Sequence, residues 1–179
     1  MTNVAIQGIK GSYSESAARQ LVSDCELVPC PTFETAVAAV ETGAAEWAVL
    51  PLRNRIIGDI SAVHRSLNGS SLRKLEEQTL KVEHVLAGVP GASVRGLTEV
   101  VSHPEALRQC RRFLGENPQL SVLVGHDTAS SLRDVMSAGV AHRAAIASER
   151  AAAIYHAAIL LEQVADDVDN WTVFGLYSR

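Results

Sequence analysis

A two-lobed α/β fold is predicted for this chain, on three observations. Short apolar runs alternate with helical patterns along the whole length, the order that builds strands flanked by helices. A second strand–helix series begins after the turn Pro90-Gly91, where a first series has already closed. No Ser/Gly-rich linker, low-complexity run or repeat separates the two series, so the lobes are expected to be joined by crossing strands. Lobe pairs of this kind usually bind ligands in the cleft between them.

The first strand is Val4-Ala5-Ile6; it ends at Gly8-Ile9-Lys10-Gly11 and a helix follows over about 14–22. Leu27-Val28-Pro29-Cys30 is a second short strand, and Pro29, which has no N–H to give a neighbour, keeps it from a central place. Thr32 caps a helix with Phe33, Val37 and Val40 on one face, ended by Gly43. Trp47-Ala48-Val49-Leu50-Pro51 is the next strand, and after Gly58 a helix runs to about Leu67. This βαβαβα order predicts a parallel sheet. Residues 77–89 alternate and are expected to form one long crossing strand. The second series predicts strands at 99–102, 120–124 and 144–147 and helices at 104–114, 129–136 and 149–155, before a closing extended stretch at 171–177. The expected lobes are 1–78 plus 160–179 and 79–159.

Composition narrows the function classes. With 47% hydrophobic and 20% charged residues the 179-residue chain can build a real core, and only 4% aromatic content makes that core small and aliphatic. A net charge of −4 excludes a general grip on nucleic acid, which needs a basic excess. No polybasic patch, no signal peptide and no run of ~18 apolar residues points to a membrane. Cys25, Cys30 and Cys110 are odd in number and lack a CxxC spacing, so reduced thiols in a cytoplasmic protein are expected. Asp166-Asp167-Val168-Asp169 lacks the spacing of a calcium loop and no His pair has zinc spacing, so neither metal nor cofactor is expected.

Four segments carry candidate chemistry. Gly8-Ile9-Lys10-Gly11-Ser12-Tyr13-Ser14 joins a strand to a helix, where glycines let the backbone approach a ligand and free N–H groups attract an anion. It lacks the third glycine of a dinucleotide fingerprint and the Gly-Lys-Ser/Thr of a P-loop, so nucleotide binding is not expected, and pattern alone favours a plain tight turn capped by Ser12 or Ser14. His126-Asp127-Thr128-Ala129-Ser130 repeats the pattern, with Thr128 as a natural cap. Ser102-His103-Pro104-Glu105 opens another helix, where His103 either donates to a ligand or satisfies the local backbone. Arg53-Asn54-Arg55 follows a strand end, so two guanidiniums suited to bidentate carboxylate recognition emerge at a carboxyl edge, unless they are only solvated surface charges.

Together these phrases resemble the catalytic domain of prephenate dehydratase and its plant relative arogenate dehydratase. The resemblance rests on Gln7-Gly8, Gly11-Ser12-Tyr13-Ser14-Glu15, Ala48-Val49-Leu50-Pro51, Gly58, Val101-Ser102-His103-Pro104, Asp127-Thr128, Ala144-Ala145-Ile146-Ala147-Ser148 and the closing Asn170, Thr172 and Phe174. It is collinear over essentially the whole chain. It implies a two-lobed fold like that of type II periplasmic-binding proteins, a homodimer, and prephenate as a small dicarboxylate substrate. Family members commonly carry a C-terminal ACT domain that senses phenylalanine; with the chain ending at Arg179, that regulation is expected to be absent.

Two signatures depart from the family. Where its members have Glu-Asn-Ser or Glu-Asn-Thr, this chain has Arg53, Asn54 and Arg55; where they have Thr-Arg-Phe, it has Thr172, Val173 and Phe174. The ending also resembles the non-aromatising prephenate decarboxylases of the bacilysin-pathway type, which remove carbon dioxide and retain the ring hydroxyl. The resemblance therefore implies a cofactor-independent decarboxylase giving a dihydro-4-hydroxyphenylpyruvate in specialised, antibiotic-type metabolism. In that reading Arg53 and Arg55 orient the dianion beside Asn54, and Thr172 holds the 4-hydroxyl. Ser12, Tyr13, Ser14, Thr128, Ala129 and Ser130 line the cleft, and Val173 and Phe174 wall off the ring. His84, His103 and His126 are proton-donor candidates by residue type alone. A prephenate or arogenate dehydratase and a catalytically silent metabolite-binding homologue are the alternatives.

Overall fold

A computed structural model describes residues 1–179. The chain divides into two compact units, the first made of 1–9, 13–82 and 170–179 and the second of 10–12 and 83–169. Both boundaries fall later than the sequence suggests. In order, the chain builds β1 (Thr2–Gln7), α1 (Tyr13–Leu21), β2 (Cys25–Cys30), α2 (Phe33–Glu41), β3 (Trp47–Asn54), β4 (Gly58–Asp59), α3 (Ser61–Leu67) and β5 (Arg73–Lys81) in unit 1. Unit 2 follows with β6 (Val85–Gly88), β7 (Glu99–Ser102), α4 (Pro104–Arg108), α5 (Arg111–Glu116), β8 (Ser121–Val124), α6 (Thr128–Ala138), β9 (Arg143–Ala147), α7 (Glu149–Ile154) and β10 (Ala158–Leu161). The chain then returns to unit 1 as β11 (Trp171–Ser178).

In unit 1 the strand order is β2-β1-β3-β11-β5, with β4 alongside β3. Pro29 lies in the edge strand, where its missing N–H is harmless. The sheet is mixed rather than parallel. β1 runs parallel to β2 and β3, whereas β11 inserts antiparallel to both β3 and β5. Helices cover both faces. On one, Ala17 and Ala18 of α1 pack with Val4, Ile6, Val49, Phe174 and Leu176. On the other, Ala36, Val37 and Val40 of α2 and Val63 of α3 pack with Ala5, Ala48, Leu50, Leu52 and Tyr177. Alanines at these contacts allow helix and sheet to approach closely, as the aliphatic composition foretold. Thr32 caps α2 reciprocally: its Oγ1 accepts from Thr35 N at 3.2 Å, and Thr35 Oγ1 accepts from Thr32 N at 3.1 Å.

In unit 2 the order is β10-β6-β9-β7-β8. β9, β7 and β8 are parallel to one another, and β6 and β10 run antiparallel. Leu86, Leu97, Val100, Phe113 and Ile146 form its core. The expected long strand over 77–89 is two strands in different sheets. The break is at Val82-Glu83-His84, where Val82 N donates to Asn170 O (2.9 Å) and His84 O accepts from Val164 N (3.0 Å). The expected helix over 104–114 is likewise two. Cys110 is fully buried between them, and the Asp166 carboxylate accepts from Arg111 N (3.0 Å) and Arg112 N (2.9 Å), so a distant side chain caps a second helix start. β10, which pairs with β6, was missed from sequence and moves the second boundary. The three cysteines are buried and unpaired, and no helix is long and apolar enough to cross a membrane.

Candidate active site

Each unit presents polar groups at the carboxyl ends of its parallel strands, where open α/β sheets place ligands. In unit 1 the organising residue is Asn54, the last residue of β3. Its Nδ2 donates to Asn170 Oδ1 at 2.8 Å, Thr172 Oγ1 at 2.9 Å and Trp171 O at 3.0 Å. Its Oδ1 accepts from Ile56 N at 2.9 Å and Ile57 N at 3.3 Å, closing the turn after β3. Asn54, Asn170 and Thr172 are all buried. With Oγ1 occupied as an acceptor, the Thr172 hydroxyl proton is directed away from Asn54.

A β-bulge decides which side chains share this corner. β3 pairs with β11 as Thr172↔Asn54 and Val173↔Arg53, but the next pair is Phe174↔Pro51, so Leu52 is an extra residue. Upstream of it, Val49 faces α1 and Leu50 faces α2. Uninterrupted alternation would send Arg53 to the α1 side and Asn54 to the α2 side. The bulge reverses both. Thr172, Phe174 and Leu176 follow one another on the α1 face, and Asn54 joins them there through its bond to Thr172. Val173 and Arg53 lie on the opposite face with Leu52, Gly175 and Tyr177. A Cβ added at Gly175 would lie 2.7 Å from the Tyr177 ring and 3.0 Å from Leu52 Cδ1.

The structure therefore separates residues that the sequence reading grouped. Arg53 is exposed and stands over the Trp171 ring, 5.8 Å from its centroid, on the face away from Thr172. Val173 shares that face. Phe174, read as a wall for the substrate ring, is 2% exposed and packs in the α1-side core. Arg55 is exposed and lies beyond the strand, where its N–H donates to Trp171 O at 2.9 Å.

Lys10–Ser12, between β1 and α1, belong to unit 2. Ser148 Oγ donates to Gly11 O at 2.9 Å while accepting from Ala151 N at 3.0 Å, and Tyr155 Oη donates to Lys10 O at 2.7 Å. Gly11 has φ +90°, and a Cβ there would come within 3.0 Å of Ala151. Ser12 is buried beside it, and Ser14 is buried in the first turn of α1. Tyr13 opens α1 and packs partly buried on its core.

At the ends of β7 and β8, unit 2 gathers His103 and residues 126–130, which lead into α6. The cap of α6 is Asp127 rather than Thr128. Its Oδ1 accepts from Ser130 N and its Oδ2 from Ser130 Oγ, both at 2.7 Å, because a carboxylate reaches back where the Thr128 hydroxyl, already in the helix, does not. Ser130's hydroxyl is thereby engaged, and Ala129 is fully buried. A pocket of about 300 Å³ between β8 and α6 is lined by Leu123, His126, Ser130, Asp134 and Arg143. His126 is exposed, with Nδ1 3.5 Å from Asp127 Oδ2.

The three histidines differ sharply. His84 is 3% exposed and its Nε2 meets Gln109 Oε1 at 2.9 Å; burial lowers its pKa, against an opposing contribution from Gln109. His103 is half-buried and caps α4, its Nδ1 accepting from Glu105 N at 3.1 Å. Burial lowers its pKa too, with Glu105 and Asp127 opposing and His126 reinforcing the shift. Asn170 and Ser148 are the residues sequence reasoning missed. Each stood inside a quoted phrase, but partners 116 and 137 positions away give them their roles.

The arogenate dehydratase/prephenate dehydratase 1 of Arabidopsis thaliana is 42% identical over 176 residues, covering 98% of this chain and 45% of that protein. The chain thus spans about half the length of the curated plant relatives it matches. Among solved structures, the prephenate dehydratase of Arthrobacter aurescens in complex with L-Phe superposes with TM-score 0.90 at 28% identity, covering 99% of this chain and 60% of the other. GqqA, described as a novel type of quorum quenching acylase, gives TM-score 0.87 at 34% identity over 99% of this chain and 64% of its own. A periplasmic substrate-binding protein of Coxiella burnetii shares the fold alone, with TM-score 0.51 at 10% identity over 100% of this chain and 84% of its own. The prephenate dehydratase family model matches residues 4–179, and the chain belongs to that family.

Proposed function

We propose that this chain is the catalytic part of a dehydratase acting on prephenate or arogenate, aromatising the ring by coupled loss of carbon dioxide and water. The observation that carries this reading is the Asn54–Thr172–Asn170 cluster, complete and buried on one face of the sheet. Asn54 fixes Thr172 Oγ1 as an acceptor, so the Thr172 O–H is oriented to donate to the ring hydroxyl. As the carbon–carboxylate bond breaks, its electron pair enters the ring and the carbon–oxygen bond opens. The leaving oxygen gains negative charge, which a fixed, desolvated hydrogen-bond donor stabilises. It departs as water after taking a proton.

The departures Arg53 and Val173 weaken this reading less than they do in sequence. They form one cross-strand pair on the face opposite Thr172. They nevertheless support a second reading, non-aromatising decarboxylation with the hydroxyl retained, because both family charges are changed together at one place. Mass spectrometry of the products from prephenate and arogenate decides. The dehydratase reading expects loss of carbon dioxide plus water, with the Thr172→Val variant slower by roughly 10²–10⁴-fold. A decarboxylated product that keeps its hydroxyl would put the second reading first. Amide hydrolysis, the activity class suggested by the acylase likeness, is the control in the same preparation.

A further inference from the structure

His103 is the one histidine of the three whose outward nitrogen is both accessible and defined. Its Nδ1 is committed as an acceptor by the backbone N–H of Glu105 at 3.1 Å, which places the proton on Nε2. Nε2 has no hydrogen-bond partner in the protein. By contrast, His84 is buried with Nε2 on Gln109, and His126 is 71% exposed with Nδ1 against Asp127. His103 also stands at the carboxyl end of β7, one of three parallel strands in its sheet. That is the edge where a fold of this kind presents groups to a ligand.

We propose that His103 binds a carboxylate of the substrate through its Nε2–H. The inference rests on the dicarboxylate or amino-acid substrate named under Proposed function. It gives His103 a different task from proton donation. Protonating the ring would require a proton on Nδ1, and that proton would displace the Glu105 N–H from the only acceptor capping α4. The charged and titratable groups that act on the imidazole are Glu105 of α4 and His126 and Asp127 of the segment before α6. Burial outweighs the two carboxylates among them and keeps the ring neutral at neutral pH. A neutral imidazole is a poor acid and a good fixed donor. The hydrogen bond it offers a carboxylate is the charge-assisted kind, and losing one lowers affinity by roughly tenfold to a hundredfold.

Two substitutions separate the two nitrogens. His103→Asn keeps a short acceptor for Glu105 N, since asparagine is among the best cap residues, but removes the Nε2–H. His103→Gln carries an amide N–H out to about the Nε2 position and gives up the cap. The Asn variant is expected to unfold at the wild-type urea midpoint and to raise KM about tenfold or more, with a smaller change in kcat. The Gln variant is expected to lose stability while keeping a KM nearer the wild type. Long-range proton–nitrogen spectra of the wild type should show the Nε2–H tautomer, and the pH profile should show no loss of activity from His103 deprotonation above pH ~7. A His103→Asn variant with wild-type KM would overturn the proposal, as would an Nδ1–H tautomer. If the wild type leaves both prephenate and arogenate unchanged, the reaction reading fails instead. The same variants are then compared by calorimetric binding of prephenate, and equal affinities would overturn the His103 assignment on its own.

Discussion

Asn54 holds two protons against three acceptors and two donors against one carbonyl oxygen, so its amide orientation is fully determined. Asn54→Asp keeps the shape and reverses half of that pattern, leaving Thr172 Oγ1, Asn170 Oδ1 and Trp171 O facing a carboxylate. Such a buried mismatch costs about 3 kcal/mol or more, readable as a lower urea midpoint at unchanged m-value. Cys110 makes a prediction of the opposite kind. Burial, with Asp166 adding to it, pushes its thiol up to about 12, so almost no thiolate exists at neutral pH. Alkylation of Cys110 in the native protein should follow global unfolding, and a fast phase at pH 8 would contradict that. His84 sets a pH dependence. Its folded pKa lies below the ordinary 6.5, so the unfolded chain takes up its proton first. The stability it confers is complete above about pH 6.5 and is lost as pH falls through the folded value. His84→Gln retains a polar partner for Gln109 and should flatten the decline in unfolding free energy between about pH 7 and pH 5.

Among the elements, the pairing of β3 with β11 is the most instructive. Arg53 and Val173 are directly opposed, so Val173→Arg alone places two guanidiniums side by side. Adding Arg53→Glu turns the conflict into an ion pair. A double-mutant cycle should show a favourable coupling of about 0.2–1 kcal/mol, the range for cross-strand pairs. If Thr172 alone governs the ring hydroxyl, the double variant should leave the ratio of products unchanged. α7 and the β1–α1 loop form a second linked pair. Ser148→Ala removes a cap and a bond to Gly11 O together, for a loss of about 1–2 kcal/mol in denaturant unfolding. The local alternation of apolar and polar residues made most elements legible: the edge position of β2 from Pro29, and α2 from Thr32 to Gly43. It failed where long-range partners decide. Nothing near Cys110 announces that Asp166 starts a new helix there, and residues 77–89 read as one strand because periodicity carries no information about which sheet a residue joins.

At the scale of the molecule, the order of the two strand–helix series was readable, and so was the family. The antiparallel insertion of β11 was not. A strand arriving after residues 83–169 of another unit can enter its sheet in either direction, and only packing between β3 and β5 settles which. The same limit governed the candidate site. Residue types at strand ends pointed to segments at the sheet edges, yet which face Arg53 and Asn54 each take is set by the bulge at Leu52. That extra residue has a consequence for how such a chain can change over time. Substitutions at 53 and 173 alter charge on a surface that does not carry Asn54 or Thr172, so they can accumulate without trial of the chemistry. Deleting Leu52 would leave strict alternation with Pro51 on the α1 side, Arg53 on the other and Asn54 still opposite Thr172, so β3 can lose that residue too without moving either surface. Substitution at 53 or 173 and loss of the bulge are thus both routes that leave the face of Asn54 and Thr172 as it is.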